Sequence, residues 1–319
     1  MDCSIVIRAF NEGRHIGRLL EGINQQTVKD LEIILVDSGS SDNTLAIAKS
    51  YGAQIIQIKP QDFTFGRSLN LGLAAATHEL VVIASAHVYP VYPDWLERLL
   101  EPFSNPTTGL VYGKQRGTPR QPRFTDLPAT KFSEHEIFAR WFPEQPDLNQ
   151  SHPFCNNANA AIRKSLWLNH PYDETLTGLE DLAWAKWLLG QNYRLAYIPA
   201  AEIIHIHQET PRAVFNRYRR EAMAFKQIYP EAHFSLYDFA RMVSSNIAND
   251  LWHANRKKVL SKSLVSIFWF RWNQFRGTYL GYRQSLEWNW QLRQTFYYPR
   301  GTAPDQINER DVQPIRYNK

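Results

Sequence analysis

The sequence of 319 residues contains little cysteine, since Cys3 and Cys155 are the only two. They do not suggest a disulfide framework or a cysteine-based zinc site, so a reducing compartment is expected. Met1 is not followed by a basic segment and a long apolar stretch, so no signal peptide is expected. No apolar run approaches the roughly 18 residues of a membrane-spanning helix. These absences predict a globular protein of the cytoplasm.

The charge is unevenly distributed behind a net value of +5. Acidic residues outnumber basic ones in residues 1–210, whereas residues 211–319 are strongly basic. Half of the ten tryptophans lie between Trp252 and Trp290. Two interpretations stay open: a surface for a membrane or another anionic partner, or a solvated basic face over a tryptophan-containing core.

Strand and helix patterns alternate along the first 85 residues. Strands are predicted at 4–10, 31–40, 54–58 and 79–85, with helical patterns between them. Such alternation predicts an α/β fold with a mixed, mostly parallel sheet flanked by helices. Ligands bind at the carboxyl ends of such strands, so Arg8 to Glu12, Asp37 to Ser40 and Ser85 to His87 should meet in one crevice.

The rest of the chain is less regular at first. Residues 115–153 have no clear period and are expected to form a long excursion without regular structure. A strand at 154–162, a helix at 177–190 and strands within 194–207 follow, and the pattern is helical from Pro211 onward.

Four segments carry a family resemblance. They are SIVIRAFNEGRHIGRLLEGINQQ, EIILVDSGSSDNTLAIA, FGRSLNLGLAAATHELVVIASAH and GLEDLAWAKWL, in this order. Together they resemble the inverting glycosyltransferases of family 2, which have the GT-A fold. The resemblance runs from about Ser4 to Arg220. It implies transfer of a sugar from a nucleoside-diphosphate sugar to an acceptor hydroxyl by single displacement.

The predicted organisation has three parts. Residues 1–215 form the GT-A catalytic domain, 216–298 a basic, tryptophan-rich helical region, and 299–319 a loose polar tail. The helical region is expected to meet a glycan or lipid-linked acceptor, or the inner face of the membrane; no nucleic acid partner is expected. A catalytically silent nucleotide-sugar-binding or assembly protein remains the alternative, because one acid of the family's metal motif is missing.

The resemblance assigns the donor site residue by residue. Asp37 matches the aspartate that binds the nucleobase, although an aspartate at this place can also cap the next helix. Glu12 matches a residue near the ribose, beside Phe10. Arg8 stands where many members have proline, and it either contacts the diphosphate or pairs with Glu12.

A second group of donor residues follows the third strand. Arg67 and Asn70 lie at the start of a helix, where backbone donors and a guanidinium suit a diphosphate. An exposed arginine and an asparagine bonding its own turn are the structural alternatives. Ser85 ends the fourth strand and would keep a hydrogen bond to the ribose.

The catalytic residues predicted from the resemblance are Glu180 and Asp181. The family places its general base at the second acid, so Asp181 is the predicted base, and Glu180 orients the acceptor or holds the loop. Carboxylates in a first helical turn also occur for structural reasons, because they suit the helix dipole.

The metal site is the main departure from the family. Ser85-Ala86-His87 replaces the usual Asp-x-Asp, and His87 with His207 are the predicted ligands of a divalent metal, expected to be Mn²⁺. His205 shares a strand face with His207, so which of the two binds stays open. In the metal-independent alternative, His87 and Arg67 contact the leaving diphosphate directly.

Overall fold

The computed structural model describes residues 2–118 and 129–284. The strands are β1 Cys3–Ala9, β2 Leu31–Asp37, β3 Gln54–Gln57, β4 Leu80–Ser85, β5 Val88–Pro90, β6 Thr108–Arg116, β7 Asp147–Gln150, β8 Asn159–Arg163 and β9 Arg194–His205. The helices are α1 Ile16–Asn24, α2 Thr44–Ser50, α3 Phe65–Ala75, α4 Trp95–Leu100, α5 Phe132–Trp141, α6 Lys164–Asn169, α7 Glu180–Gly190, α8 Pro211–Ile228, α9 Leu236–Arg256 and α10 Leu260–Arg283.

The described strands form one mixed sheet in the order β3-β2-β1-β4-β8-β6-β9-β5, and β7 pairs with β9. The first four strands in this order are parallel, as predicted from the alternating pattern. Strand β8 is antiparallel to β4 and β6, and β9 is parallel to β6 but antiparallel to β5 and β7. The carboxyl ends of β1, β2 and β4 therefore lie at one edge, which positions the site.

Each face of the sheet carries its own core because successive strand residues point to opposite faces. Ile5 and Ile7 of β1 belong to the core that contains Trp95, and Val6 belongs to the core that contains Trp184. Helix α3 lies very close to the second face at Gly72, where a Cβ atom would clash with Val6 Cγ1. Any larger residue there would push the helix off the sheet.

Part of the region predicted as an irregular excursion is ordered. Helix α5 and strand β7 both lie within residues 115–153, so that prediction was wrong there. The sequence FSEHEIFARW carries two glutamates and a histidine that look solvated, but Glu134 and Glu136 are buried against the C-terminal part of the chain. Helix α5 is therefore stabilised mainly by tertiary packing, which a local sequence pattern does not show.

The C-terminal helices pack onto the sheet domain rather than standing apart from it. Arg271 on α10 makes a bidentate ion pair with the fully buried Asp250 on α9, at 2.7 and 2.9 Å. Ser133 on α5 donates to the same carboxylate at 2.7 Å. The predicted domain boundary at residue 215 falls inside α8, and the predicted tail lies outside the described residues.

No helix in residues 2–118 and 129–284 combines the length and apolar character that crossing a membrane requires.

Candidate active site

A cleft of about 730 Å³ opens at the carboxyl ends of β1 and β4. Elements distant in sequence close it, namely the start of α7, the segment after β9 and the middle of α8. Most of the predicted site residues line this cleft: Arg8, Phe10, Glu12, Ser85, His87, Glu180, Asp181 and His207. The residues predicted at the ends of β1 and β4 thus share one cleft, whereas Asp37 to Ser40 do not line it.

The turn after β1 is held by the segment DSGSSDNT. Asn11 has a left-handed backbone with φ 54°, a conformation that side chains disfavour. Its backbone N–H donates to Ser40 Oγ at 2.8 Å, and the next two N–H groups donate to Thr44 Oγ1 and Asp42 Oδ2 at 2.8 and 2.9 Å. These bonds fix Glu12 at the cleft wall.

Asp37 lies beneath this turn and does not line the cleft. It is fully buried, and Oδ2 accepts hydrogen bonds from the backbone N–H groups of Gly39 and Ser40, both at 3.0 Å. Its other oxygen, Oδ1, has no hydrogen-bond partner among the described residues. A buried carboxylate oxygen left in this way retains a strong capacity to accept a donor.

Arg67 and Asn70 lie on α3, outside the cleft. Asn70 donates to Tyr172 O and to Glu174, and its Oδ1 accepts from Trp167 Nε1 and Tyr172 N, at 2.9–3.0 Å. These four bonds use its full capacity to hold the loop before α7. The predicted diphosphate role of Asn70 is therefore corrected to a structural one, and exposed Arg67 is not brought into the site.

One end of the cleft, the carboxylate end, consists of Arg8, Glu180 and Asp181. Arg8 Nη1 donates to Glu180 Oε1 at 2.9 Å, so the arginine pairs with Glu180 and not with Glu12 as the sequence had allowed. Asp181 Oδ2 accepts from Asn157 N at 3.1 Å. The residue before this pair, Leu179, has φ 57°, which turns both acids toward the cleft.

Burial and the neighbouring charge of Glu180 raise the pKa of Asp181 to about 7. Hydrogen bonds from the backbone of Asn157 and Leu182, together with Arg8, act in the opposite direction but do not offset burial. An acid with such a pKa takes up and releases a proton near neutral pH, which is what a general base requires.

The opposite end, the histidine end, consists of His87, His205 and His207. One ligand nitrogen from each ring lies within 4.8 Å of those from the other two. His87 Nδ1 contacts Glu12 Oε1 at 2.8 Å, His205 Nδ1 contacts Gln115 Oε1 at 2.7 Å, and His207 Nδ1 contacts Glu134 Oε1 at 2.5 Å. The structure thus joins His205 to the two predicted ligands.

The three rings differ in electrostatics. Burial opposes the charged form of His87, but the Glu12 carboxylate outweighs it and raises the pKa of His87. Burial, reinforced by the two neighbouring histidines, holds the pKa of His205 well below its usual value. His205 is therefore neutral at pH 7, the form in which imidazole binds a metal.

Several cleft residues were not found from the sequence. Arg217, Arg220 and Glu221 reach the cleft from α8, and Glu134 reaches His207 from α5. The spacing of the α8 residues places them on one helix face, a signal that could have been read. Glu134 had no such signal, because it lies in the region that showed no period.

The glycosyl transferase family 2 model matches residues 4–168. The chain belongs to this family. Two similar relatives are O-antigen chain rhamnosyltransferases: RfbN of Salmonella typhimurium strain LT2, 26% identical over 68% of this chain and 70% of the relative, and WbaN of Salmonella anatum, 27% identical over 67% and 69%. The chain is therefore a glycosyltransferase, as its motifs predicted.

Two solved structures have a similar fold. The mannosyltransferase PcManGT of Pyrobaculum calidifontis, solved with GDP-Man and Mn²⁺, has a TM-score of 0.57 and 17% identity, with 88% of this chain and 85% of that chain covered. Staphylococcus aureus TarS 1–349 with UDP-GlcNAc has a TM-score of 0.51 and 14% identity, with 89% and 91% covered. The fold is GT-A, with C-terminal helices.

Proposed function

We propose that this glycosyltransferase moves a sugar from a nucleoside-diphosphate sugar to an acceptor hydroxyl with inversion, in one displacement, with Asp181 as the general base. The observation that carries the proposal is the Asp181 carboxylate, which faces the cleft with a pKa raised to about 7. A base at this pKa is ionised enough to accept the acceptor proton and basic enough to hold it.

Glu180 and Arg8 support this base. Arg8 forms an ion pair with Glu180 at 2.9 Å, which fixes Glu180 beside Asp181. Asn157 positions Asp181 through its backbone and reaches Glu180 through its side chain at 3.5 Å. Both acids are thereby held in fixed positions at the cleft wall.

The donor diphosphate is proposed to lie between the two ends of the cleft, where cationic side chains concentrate. Arg8, Arg217 and Arg220 line this space and can offset phosphate charge. Phe10, Glu12 and Ser85 are proposed to contact the ribose side of the donor. Asp37 is proposed to contact the nucleobase, and its buried Oδ1 without a hydrogen-bond partner among the described residues supports this contact. Because Asp37 is buried, the contact requires the segment at the end of β2 to move and expose Oδ1 to the ligand.

The histidine end fits a divalent metal. Each ring directs Nδ1 to an oxygen partner, and the three imidazoles form a donor set suited to Mn²⁺ and related ions. A metal bound by His87 and His207 would offset the negative charge of the departing nucleoside diphosphate. The metal-independent alternative loses support, because Arg67 lies outside the cleft.

The acceptor is proposed to be a glycan or lipid-linked glycan reached at the inner face of the membrane. Two curated relatives are named for O-antigen chain synthesis. Helices α9 and α10 also expose apolar side chains, including Trp252, Val265, Phe268 and Trp272, close in sequence to Arg256, Lys257, Lys258 and Lys262. Such a surface suits peripheral contact with anionic lipid.

The catalytic test measures sugar transfer and donor hydrolysis with a panel of nucleoside-diphosphate sugars, activated rhamnose included. We expect Asp181→Asn to lower the rate about 10²–10⁴-fold without weakening nucleotide binding. Asp94→Asn, a half-buried surface acid outside the cleft, is the matched control and should keep full activity. A fully active Asp181→Asn enzyme would refute the assignment of the base.

The membrane proposal is tested separately by sedimentation with vesicles. The full chain should bind anionic vesicles at low salt and release them as salt rises, because screening weakens the electrostatic part. Neutral vesicles are the control. Failure to bind anionic vesicles at low salt would remove this proposal and leave the catalytic one intact.

A further inference from the structure

The histidine end packs three imidazole rings against one another. The Nε2 atoms of His205 and His207 lie 3.0 Å apart. The ring centroids of these two histidines are 4.1 Å apart with the rings edge to face, and the His87 ring stacks on His205 with 5.1 Å between centroids. One ligand nitrogen from each ring therefore lies within 4.8 Å of the other two.

The partners of the rings determine which nitrogen carries the proton. Glu12 and Glu134 present carboxylate oxygens to Nδ1 of His87 and His207, and a carboxylate oxygen accepts a hydrogen bond. Gln115 likewise presents its Oε1 to His205. With each Nδ1 donating to its oxygen partner, Nε2 is the atom of each ring that can bind a metal ion.

The Nε2 atoms of His205 and His207 lie 3.0 Å apart, so the two nitrogens share either a proton or a metal ion. Two metal–nitrogen bonds of about 2.0–2.1 Å at roughly a right angle would place their nitrogens about 3 Å apart. The observed separation matches two ligands of one ion.

We propose that His87, His205 and His207 together bind one transition-metal ion through Nε2, and that Glu12, Gln115 and Glu134 orient the three rings. This inference rests on the proposed function, since the metal would serve the same donor site, but it adds His205 as a ligand and defines the ion. Three imidazoles favour Mn²⁺, Co²⁺, Ni²⁺ or Zn²⁺, whereas Mg²⁺ and Ca²⁺ prefer oxygen ligands.

The site differs in kind from an acidic metal motif. A three-imidazole set adds no negative charge to the ion, so the bound metal keeps its full positive charge toward an anionic ligand. The carboxylates of Glu12 and Glu134 would not bind the ion themselves. They accept hydrogen bonds from Nδ1 of His87 and His207. Their effect on the metal is therefore through ring orientation and basicity.

The test uses metal ions alone and the full chain. Calorimetry should show one Co²⁺ or Mn²⁺ bound per chain, with a visible absorption band for Co²⁺, and Mg²⁺ in excess should not compete. His205→Ala should weaken binding more than tenfold, and Glu134→Gln about 10–100-fold. His152→Ala, an exposed histidine outside the cleft, is the control and should bind like the wild type.

Thermal unfolding without metal shows whether each variant is folded, so weaker binding can be separated from misfolding. Wild-type affinity in His205→Ala would show that His205 is not a ligand. Binding of no transition metal would mean that the two rings share a proton, and the inference would be wrong while metal-free sugar transfer could still stand. Metal binding without any sugar transfer would instead refute the proposed function and leave the metal site in place.

Discussion

The carboxylate end and the histidine end of the cleft differ in how their titratable side chains are paired. At the carboxylate end, two adjacent acids share one close arginine, and burial raises the pKa of Asp181 to about 7. At the histidine end, every ring has its own oxygen acceptor, so three bases are held in fixed orientations. The carboxylate end is suited to accept and release a proton, whereas the histidine end fixes the orientation of three imidazole rings.

The two ends also differ in what supports them. The carboxylate end rests mainly on β1, the start of α7 and the backbone of Asn157. The histidine end depends on α5, whose Glu134 bonds His207 and whose neighbouring Ser133 is tied to the buried pair of Asp250 and Arg271. The C-terminal helices are therefore expected to be part of the active site and not an appendage.

The largest effect is expected from breaking that buried pair. Arg271→Ala leaves the fully buried Asp250 carboxylate without its cation, and such a loss destabilises a protein by about 3–5 kcal/mol. Denaturant unfolding measures the change. Metal binding at the histidine end should weaken with it, because α5 loses an anchor, whereas the pKa of Asp181 should stay unchanged.

Arg98 provides the matched control for this variant. It pairs with Asp94 and Glu101 on the surface, where ion pairs contribute little. Arg98→Ala should leave the unfolding curve nearly unchanged. If Arg271→Ala were equally mild, the C-terminal helices would not hold the histidine end in the way described.

The second effect concerns stability at the carboxylate end. The pKa of Asp181 is about 7 when folded against 3.8 as its ordinary value, so the folded state resists ionisation. Its stability contribution is present below pH 4 and is lost as the pH rises to 7. Asp181→Asn should therefore stabilise the inactive protein by about 2–4 kcal/mol at pH 8.

The pH dependence of the stability gain in Asp181→Asn tests whether the pKa of Asp181 is raised. Denaturant unfolding at a series of pH values should show the advantage of Asp181→Asn growing between pH 4 and pH 7 and constant above. In the wild type, transfer should fall about tenfold per pH unit below pH 7, as the base becomes protonated. A stability gain that is equal at pH 5 and pH 8 would contradict a raised pKa.

Local sequence patterns were sufficient for the parallel part of the sheet and for most of the cleft wall. Arg8, Ser85 and His87 could be placed together because the carboxyl ends of parallel strands share an edge. The structural role of Asn70 could not be predicted, because the three residues that make its four hydrogen bonds lie about 100 residues away in the sequence. The contact of Glu134 with His207 could not be predicted for the same reason, because only tertiary packing brings the two residues together.

The smallest effect is expected at Phe65, which links the carboxylate end to α8. The Arg8 guanidinium lies 4.9 Å from the ring centroid and that of Arg220 lies 4.6 Å from it, so one ring serves two cations. Phe65→Leu removes both cation–π contacts and should destabilise the protein by about 1–2 kcal/mol in denaturant unfolding. Phe65→Tyr keeps the ring face and should remain close to the wild type. Equal losses in the two variants would mean that packing alone acts here. The carboxylate end would then be independent of the C-terminal helices, in contrast to the histidine end.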